Sequence, residues 1–302
     1  MAQVLIQAVL VLAQALLLLL LAPLVAGFVN QLTLIWRERT GRRLFSWYYC
    51  LRQEARWLAA GRARSGRGPV LYFLAVFLAA TLLPNFLGQG LSYGDVFTLT
   101  MFLLLGRLAR WYSVKVATST NQAASGSIRE LFWAGLSLPV WLLAVLAVVS
   151  RSGSTMPVNM LFKFEGIYFS LSNILAALAF FGMTLALNGP VLEPLLPGAA
   201  EAEAAVPEGY QAVVGLPQRP LVSYPASGLL LVTLADLLQL LVYLLFFVEL
   251  FLPLPGFLIL RLILAAGVLG AAAAYQGRCR ALRPASLLVD SALLLMAALL
   301  VQ

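Results

Sequence analysis

The chain has 302 residues, of which 62% are apolar and only 11% are charged. A soluble domain is about half apolar and about a quarter charged, so this composition excludes an ordinary soluble protein. The net charge of +8 does not indicate nucleic-acid binding, because helical membrane proteins gather arginine at their cytoplasmic edges. The chain contains no histidine, which excludes His-ligated haem or zinc and a His-based catalytic triad.

The apolar runs consist of continuous Leu, Ala, Val and Phe and do not alternate, which favours transmembrane helices over a β-barrel. We predict an all-α, polytopic transmembrane helical bundle of about eight spans in a single domain. The first span is predicted to be a retained helix, because no basic residue precedes it and it is too long for a cleaved signal. In chain order the predicted spans are 4–26, 70–90, 95–115, 131–150, 166–188, 229–252, 257–275 and 285–301.

The basic residues are concentrated in alternate loops, at 27–69, 116–130, 189–228 and 276–284. In the loops on the opposite side, the only basic residues are Arg151 and Lys163. The positive-inside rule therefore predicts that these four loops, with the Arg107, Arg110 and Lys115 end of the third span, are cytoplasmic. Both termini are then predicted to be extracytoplasmic, in a bacterial inner membrane crossed many times. Cys50 and Cys279 would then both be cytoplasmic and reduced.

Two of these loops have compositions that indicate a further role. The segment 44–58 mixes aromatic residues with arginines, which is typical of an interfacial helix on headgroups or beneath a partner, or of a simple charged anchor. The loop 189–228 contains Glu201 and Glu203 among prolines and alanines. An acidic cytoplasmic loop gains nothing from anionic lipid, so it is either a contact for a partner protein or a solvated linker.

Ionisable residues within predicted spans are functional candidates, because a charge in lipid is costly. Asp95 and Glu165 begin spans and could cap helices, and Arg107 could extend to the cytoplasmic edge. Glu249 and Arg261 could pair across a short turn, with a structural or a functional role. The full set is Asp95, Arg107, Glu165, Asp236, Glu249, Arg261 and Asp290.

Among these ionisable residues, Asp236 is the strongest candidate for a functional site. Gln239 and Tyr243 follow it at i+3 and i+7, which puts the three side chains on one face of a helix. Such a polar stripe must face the bundle interior or water. It is interpreted either as part of a proton relay or ion path, or as a buried hydrogen-bonded strut.

Short motifs follow one another along nearly the whole chain in the order known from one family. They resemble the membrane subunit shared by respiratory complex I, where it is the H or ND-one subunit, and by group 4 membrane-bound hydrogenases, nearest to the formate hydrogenlyase and hydrogenase-four branch. In the first half of the chain, APLVAG at 22–27 corresponds to the family's APLLSG, RTG at 39–41 to RRGP, and GDVFTL at 94–99 with Arg107 to GDLITL and its downstream arginine. Further on, GSIRE at 126–130 corresponds to GASRE, and Pro139 to the proline of an EP pair. AEAE at 200–203 is identical to the family's motif, and Tyr224 with Ser227 and Gly228 corresponds to EYSG.

This resemblance implies a subunit, not catalytic by itself, that anchors a cytoplasmic redox arm and links it to proton or sodium translocation. It implies redox-arm subunits and antiporter-like membrane subunits as partners, with no nucleic acid. Nickel–iron or iron–sulfur centres are expected only in those partners, and no cofactor is expected on this chain unless a quinone binds. By position, the residues expected to dock the arm are Arg39, Arg42, Arg129, Glu130, Glu201 and Glu203, while Asp95 and Arg107 flank the third span.

The chain departs from the family at positions that are usually charged, which here hold Cys50, Gln53, Ala117 and Leu138. Gln239 also stands where the family has a lysine. These departures leave open whether ion coupling is retained and whether a quinone binds. They motivate an alternative function, a non-redox scaffold with the same fold in an antiporter-like or inorganic-carbon-uptake complex.

Overall fold

The computed structural model describes residues 2–36, 44–59, 66–83, 95–117, 121–154, 170–188, 226–251, 258–278 and 284–301. Every regular element in these ranges is an α-helix, which confirms the predicted all-α class. The helices are α1 (Ala2–Trp36), α2 (Ser46–Ala59), α3 (Arg67–Thr81), α4 (Val96–Ala117), α5 (Asn121–Ser152), α6 (Leu171–Leu187), α7 (Ala226–Phe251), α8 (Leu258–Arg278) and α9 (Pro284–Leu300).

Two helices are long and apolar enough to cross a bilayer, at Ala8–Trp36 within α1 and at Leu230–Glu249 within α7. The outer face of α1 is a run of exposed leucine, isoleucine and valine side chains, among them Leu5, Val9 and Leu20. An apolar surface of this extent is unusual on a soluble monomer. Shorter apolar helical segments occur at Arg67–Thr81, Ala134–Ser150, Leu171–Leu187, Ile259–Ala274 and Leu287–Leu300.

The helix α7 is the centre of the fold. It contacts α1, α2, α3, α6 and α8, and its side chains are buried almost all around from Ala235 to Phe246. A helix that is apolar on every side is stable only when other helices or lipid surround it. The position of α7 explains why its few polar side chains must find partners inside the bundle.

Contacts between particular residues give the relative direction of the helices. The Oγ of Ser172 at the start of α6 donates to the carbonyl of Ala298 at the end of α9, at 2.9 Å, so these two helices are antiparallel. The Oγ1 of Thr33 near the end of α1 donates to the carbonyl of Gly270 on α8, at 3.2 Å, which shows where these two helices touch.

Small residues bring α3 and α4 close together. A Cβ added at Gly68 would lie 2.6 Å from the Cα and Cβ of Ser113, a distance that real Cβ atoms do not reach. The start of α3 therefore lies directly against the end of α4, and the two helices are antiparallel. Close approach through small residues is the usual way for helices to pack in a membrane.

Two helices extend beyond the predicted spans. The helix α1 continues past the predicted boundary at residue 26 to Trp36, and α5 already begins at Asn121, inside the predicted loop 116–130. The thickness of the hydrocarbon layer limits a span but does not limit a helix, which continues wherever its backbone hydrogen bonds can. Pro23 in α1 and Pro139 in α5 each remove one such bond within their helix.

The segment predicted as an interfacial helix forms α2. One side of α2 packs on α1 and α7, where Trp47 and Glu54 are buried, and the other side exposes Tyr49, Arg52 and Arg56. Pro23 has no N–H, so it makes no helical hydrogen bond to the carbonyl of Leu19. The hydroxyl of Tyr48 donates to the next carbonyl, that of Leu20. The amphipathic helix is thus attached to the bundle through its own side chains.

Candidate functional site

A buried group of polar side chains, which we call the Asp236 cluster, lies between α3, α4 and α7. Its members are Tyr72 from α3, Arg110 from α4, and Asp236, Gln239 and Tyr243 from α7. Asp236 is 7% exposed and Tyr72 is fully buried. The start of α3 packs on both the end of α4 and α7, and the long side chain of Arg110 reaches from α4 to Asp236.

The ion pair of the cluster joins Arg110 and Asp236. An NH1 nitrogen of Arg110 lies 2.5 Å from Oδ1 of Asp236, and the hydroxyl of Tyr72 donates to the same oxygen at 2.6 Å. The guanidinium of Arg110 also lies over the ring of Tyr72, 5.9 Å from its centroid. A hydrogen bond between two charged groups is about twice as strong as a neutral one, and the ring adds a cation–π contact.

Gln239 connects the two tyrosines. Its Oε1 lies 2.6 Å from the hydroxyl of Tyr72, and its Nε2 donates to the hydroxyl of Tyr243 at 2.8 Å. A phenol has one proton, so Tyr72 cannot donate fully to Asp236 and Gln239 together. With the amide turned over, Nε2 would donate to Tyr72 and Oε1 would accept from Tyr243, and each hydroxyl would then have one acceptor.

Arg107 lies one turn before Arg110 on α4 and has a different role. It is only 6% exposed, and its NH2 donates to the carbonyl of Leu187 at 2.8 Å. The last carbonyls of a helix have no partner within the helix and carry partial negative charge. The end of α6 therefore binds this guanidinium inside the bundle.

Asp95 and Arg107 do not meet. Asp95 directly precedes α4, and its carbonyl accepts from the amide of Leu99 at 3.0 Å. One of its carboxylate oxygens is buried and has no hydrogen bond to the part of the chain that the structure describes. A carboxylate at a helix N-terminus is stabilised by the helix dipole. Asp95 therefore lies at the opposite end of α4 from Arg107 and Arg110.

The second charged location predicted on α7 lies at the far end of that helix. Glu249 is partly buried there, and Arg261 on α8 exerts an electrostatic influence on it. Packed aromatic rings from three helices line the later half of α7. They belong to Trp141, Phe180, Tyr243, Phe246, Phe247 and Phe251, with the rings of Trp141 and Tyr243 5.2 Å apart.

The residues predicted to dock a redox arm are mostly outside the described part of the chain. This applies to Arg39, Arg42, Glu201 and Glu203, and also to Glu165. The backbone of Arg129 and Glu130 belongs to α5, and their side chains are not described.

One of the positions that differ from the motifs of the resembled family, Gln239, belongs to the Asp236 cluster. The others lie elsewhere in the fold. The thiol of Cys50 donates to a carboxylate oxygen of Glu54 at 3.6 Å on α2, and the backbone of Gln53 belongs to the same helix. Leu138 is exposed on the outer side of α5, and Ala117 is the last residue of α4.

Two members of the cluster were not predicted from the sequence. Arg110 follows Arg107 at i+3, a spacing that puts both on one side of α4, and this signal could have identified it. Tyr72 gives no comparable signal, because a tyrosine near the end of an apolar run is equally typical of the membrane interface. Only the packing of α3 on α7 brings it to Asp236.

The geometry of the cluster favours a structural tie over a path for protons. The amide of Gln239 separates the hydroxyls of Tyr72 and Tyr243, and an amide does not readily take up and release a proton. In the described ranges, no three Cys, Asp or Glu side chains are grouped as metal ligands. No protein-family model matches this chain, and a search of curated proteins finds no similar sequence.

Proposed function

We propose that this chain is a multi-pass protein of the bacterial inner membrane that anchors and couples a complex-I-like or group 4 hydrogenase-like oxidoreductase. The observation that carries the proposal is the buried ion pair of Arg110 and Asp236, held where three apolar helices meet. An ion pair inside an apolar bundle is costly to build and responds to nearby charge, which suits an element that senses a docked partner.

The directions of the helices support eight crossings of the membrane. In the predicted order, α3 and α4 are consecutive spans and α6 and α9 are the fifth and the eighth, so each pair should be antiparallel, as their contacts are. The proposal therefore keeps the arginine-rich loops in the cytoplasm and residues near 301 outside.

The mechanism follows from the position of the cluster. The start of α3, the end of α4 and the first half of α7 all lead to the predicted cytoplasmic side, so Asp236 lies nearer to a cytoplasmic arm than to the outer surface. A change of charge in that arm acts strongly through the low dielectric of the bundle. Movement of α7 would then pass the signal to α1, α2 and α8, and from there to antiporter-like neighbours.

The proposal assigns no cofactor to this chain. Nickel–iron or iron–sulfur centres would belong to the docked subunits, and the coupled ion would be a proton or sodium. The ordered motifs from 22–27 to 227–228 support this assignment to the family.

Purification of the intact complex from native membranes in mild detergent tests the proposal. An affinity tag on this chain should co-purify subunits with iron–sulfur or nickel–iron centres, identified by mass spectrometry and metal analysis. Membranes washed at alkaline pH should retain the chain. A preparation that contains no redox subunit at any detergent concentration would overturn the redox assignment.

The second candidate is the non-redox scaffold. The observation that favours it is the closed set of bonds in the Asp236 cluster, in which Tyr72, Arg110, Gln239 and Tyr243 bind Asp236 or one another. Uncharged residues at positions 50, 53, 117 and 138 agree with a degenerate ion path. The same purification separates the two candidates, since a scaffold should co-purify antiporter-like subunits without any metal centre.

A further inference from the structure

The helix α9 has an apolar face on each side. Its inner face, formed by Leu288, Ser291, Leu295 and Ala298, is buried where α9 packs on α5 and α6. Its outer face is exposed and consists of Val289, Leu293, Met296 and Leu300, with Leu293 at 59% exposure. The outer residues are spaced by four, three and four positions, which is the spacing of a seam between two packed helices.

One carboxylate lies beside this outer seam. Asp290 is exposed and directly follows Val289, so it occupies the flanking position of the seam, where interhelical ion pairs form. It comes six residues after Pro284, about 9 Å along the helix axis. It is the fourth residue of the apolar segment Leu287–Leu300 and lies between Val289 and the exposed Leu293 of the outer face.

A carboxylate in this position does not fit a surface covered by lipid tails. Charged groups within spans almost always face a partner charge, the bundle interior or water. Lysine and arginine can extend a long side chain to the headgroups, but the single methylene of aspartate is too short for this. Among the described residues of α9, no basic side chain lies on the outer face to neutralise Asp290.

We propose that the outer face of α9 binds a transmembrane helix of another chain that carries a lysine or an arginine opposite Asp290. A second copy of this chain is a poorer occupant, because two α9 helices packed through the same face would bring two carboxylates together. The inference rests on the membrane placement in the proposed function and does not depend on the redox assignment.

Photo-crosslinking in native membranes tests the docking site. A benzoylphenylalanine at Leu293 probes the outer face of α9, and the same probe at Val268, which is also 59% exposed and lies on α8, is the matched control. With Asp290 present, the Leu293 probe should give one dominant adduct. Its cross-linked peptide should be an apolar helix with lysine or arginine within one turn of the cross-link.

The charge itself is tested in the same assay. Asp290→Lys should lower the yield of the Leu293 adduct about tenfold and leave the Val268 pattern unchanged, which shows that the variant is folded. Asp290→Glu should retain the adduct, and changing the basic residue of the partner to aspartate should restore it in the Asp290→Lys chain.

The inference is overturned by an adduct that Asp290→Lys does not weaken, by an adduct with a second copy of this chain, or by a cross-linked helix without a basic residue. It is also overturned if Leu293 cross-links to no protein while the chain stays in the membrane. That last result leaves the proposed function standing if redox subunits still co-purify. Release of the chain from alkaline-washed membranes would end both.

Discussion

The pairing of Arg110 with Asp236 determines what each side chain does to stability. Removing one charge leaves the other buried without its partner, which typically costs about 3–5 kcal/mol of the free energy of unfolding. Asp236→Leu alone should therefore destabilise the detergent-solubilised chain by that order. The double variant Arg110→Met with Asp236→Leu should recover most of the loss, because it removes both charges. Thermal unfolding followed by size-exclusion chromatography measures the difference, and equal midpoints for wild type and Asp236→Leu would contradict it.

The hydroxyl of Tyr72 supports the same carboxylate. Tyr72→Phe keeps the ring under Arg110 but removes the bond to Asp236, which should lower the free energy of unfolding by about 1–3 kcal/mol. Tyr112 is exposed on α4, and Tyr112→Phe is the matched control with an expected change near zero. If both phenylalanine variants unfold alike, the hydroxyl of Tyr72 contributes nothing to the bundle.

At this scale, part of the cluster could be predicted. The spacing of Asp236, Gln239 and Tyr243 is enough to put them on one helix face, since helical periodicity is a local property. The partners on α3 and α4 depend on which helices pack against α7, and no local pattern contains that information. The partner of Arg107 could not be predicted for the same reason, because the sequence of α4 does not show that the end of α6 lies beside it.

At the scale of elements, the contact of α3 with α4 depends on the absence of a side chain. Gly68→Ala would force a Cβ against the backbone of Ser113 and should lower the free energy of unfolding by about 1–3 kcal/mol. Gly135 on α5 has nothing within 4 Å of an added Cβ. Gly135→Ala should therefore be neutral, or stabilising by up to about 1 kcal/mol through helix propensity. Comparison of the two unfolding midpoints tests the packing, and a stable Gly68→Ala variant would disprove it.

The attachment of α2 to α1 should be sensitive to alkaline pH. Burial raises the pKa of Tyr48 above its usual value of 10.0, and the protonated hydroxyl donates to Leu20. This stabilisation is fully present below about pH 10 and is lost as the pH rises through the raised pKa. The difference in unfolding temperature between wild type and Tyr48→Phe should therefore shrink above about pH 10. A difference that stays constant up to about pH 12 would contradict the assignment.

Most helices could be predicted from their apolar runs, but the residues at which the helices begin and end could not. The runs identify the stretches that avoid water, as in α7, where the predicted span 229–252 nearly coincides with Ala226–Phe251. The helix α5 begins inside a predicted loop, because backbone hydrogen bonding does not require apolar side chains. The added part of α1, residues 27–36, is itself mostly apolar, and the predicted boundary at residue 26 was set too early.

At the scale of the whole molecule, the proposed threading predicts the side of each exposed position. In a chain with both natural cysteines replaced by serine, Arg52→Cys on α2 should react with a membrane-impermeant maleimide only after the cells are opened. Val301→Cys should react in intact cells. Both positions are exposed, so accessibility within the fold does not explain a difference. Labelling of Arg52→Cys from outside would reverse the proposed orientation.

The neighbour relations of the helices are the part of the architecture that the sequence does not contain. Arginine placement predicts on which side a loop lies, since it reflects a rule about membranes in general. It does not predict that α9 packs on α5 and α6, or that α7 is surrounded by other helices. Those arrangements depend on shape, as at Gly182, where an added Cβ would lie 2.8 Å from the Oγ of Ser291.

The pairing of α6 with α9 has a consequence for how the protein is made. In the proposed threading, α6 enters the membrane long before α9 has been translated, so the surface around Ser172 and Gly182 stays without its partner while α7 and α8 are inserted. An insertase or the lipid itself has to shield that surface in the meantime. Ribosomes that stop before residue 284 would leave the bundle open along α6, and such products should be removed by membrane proteases.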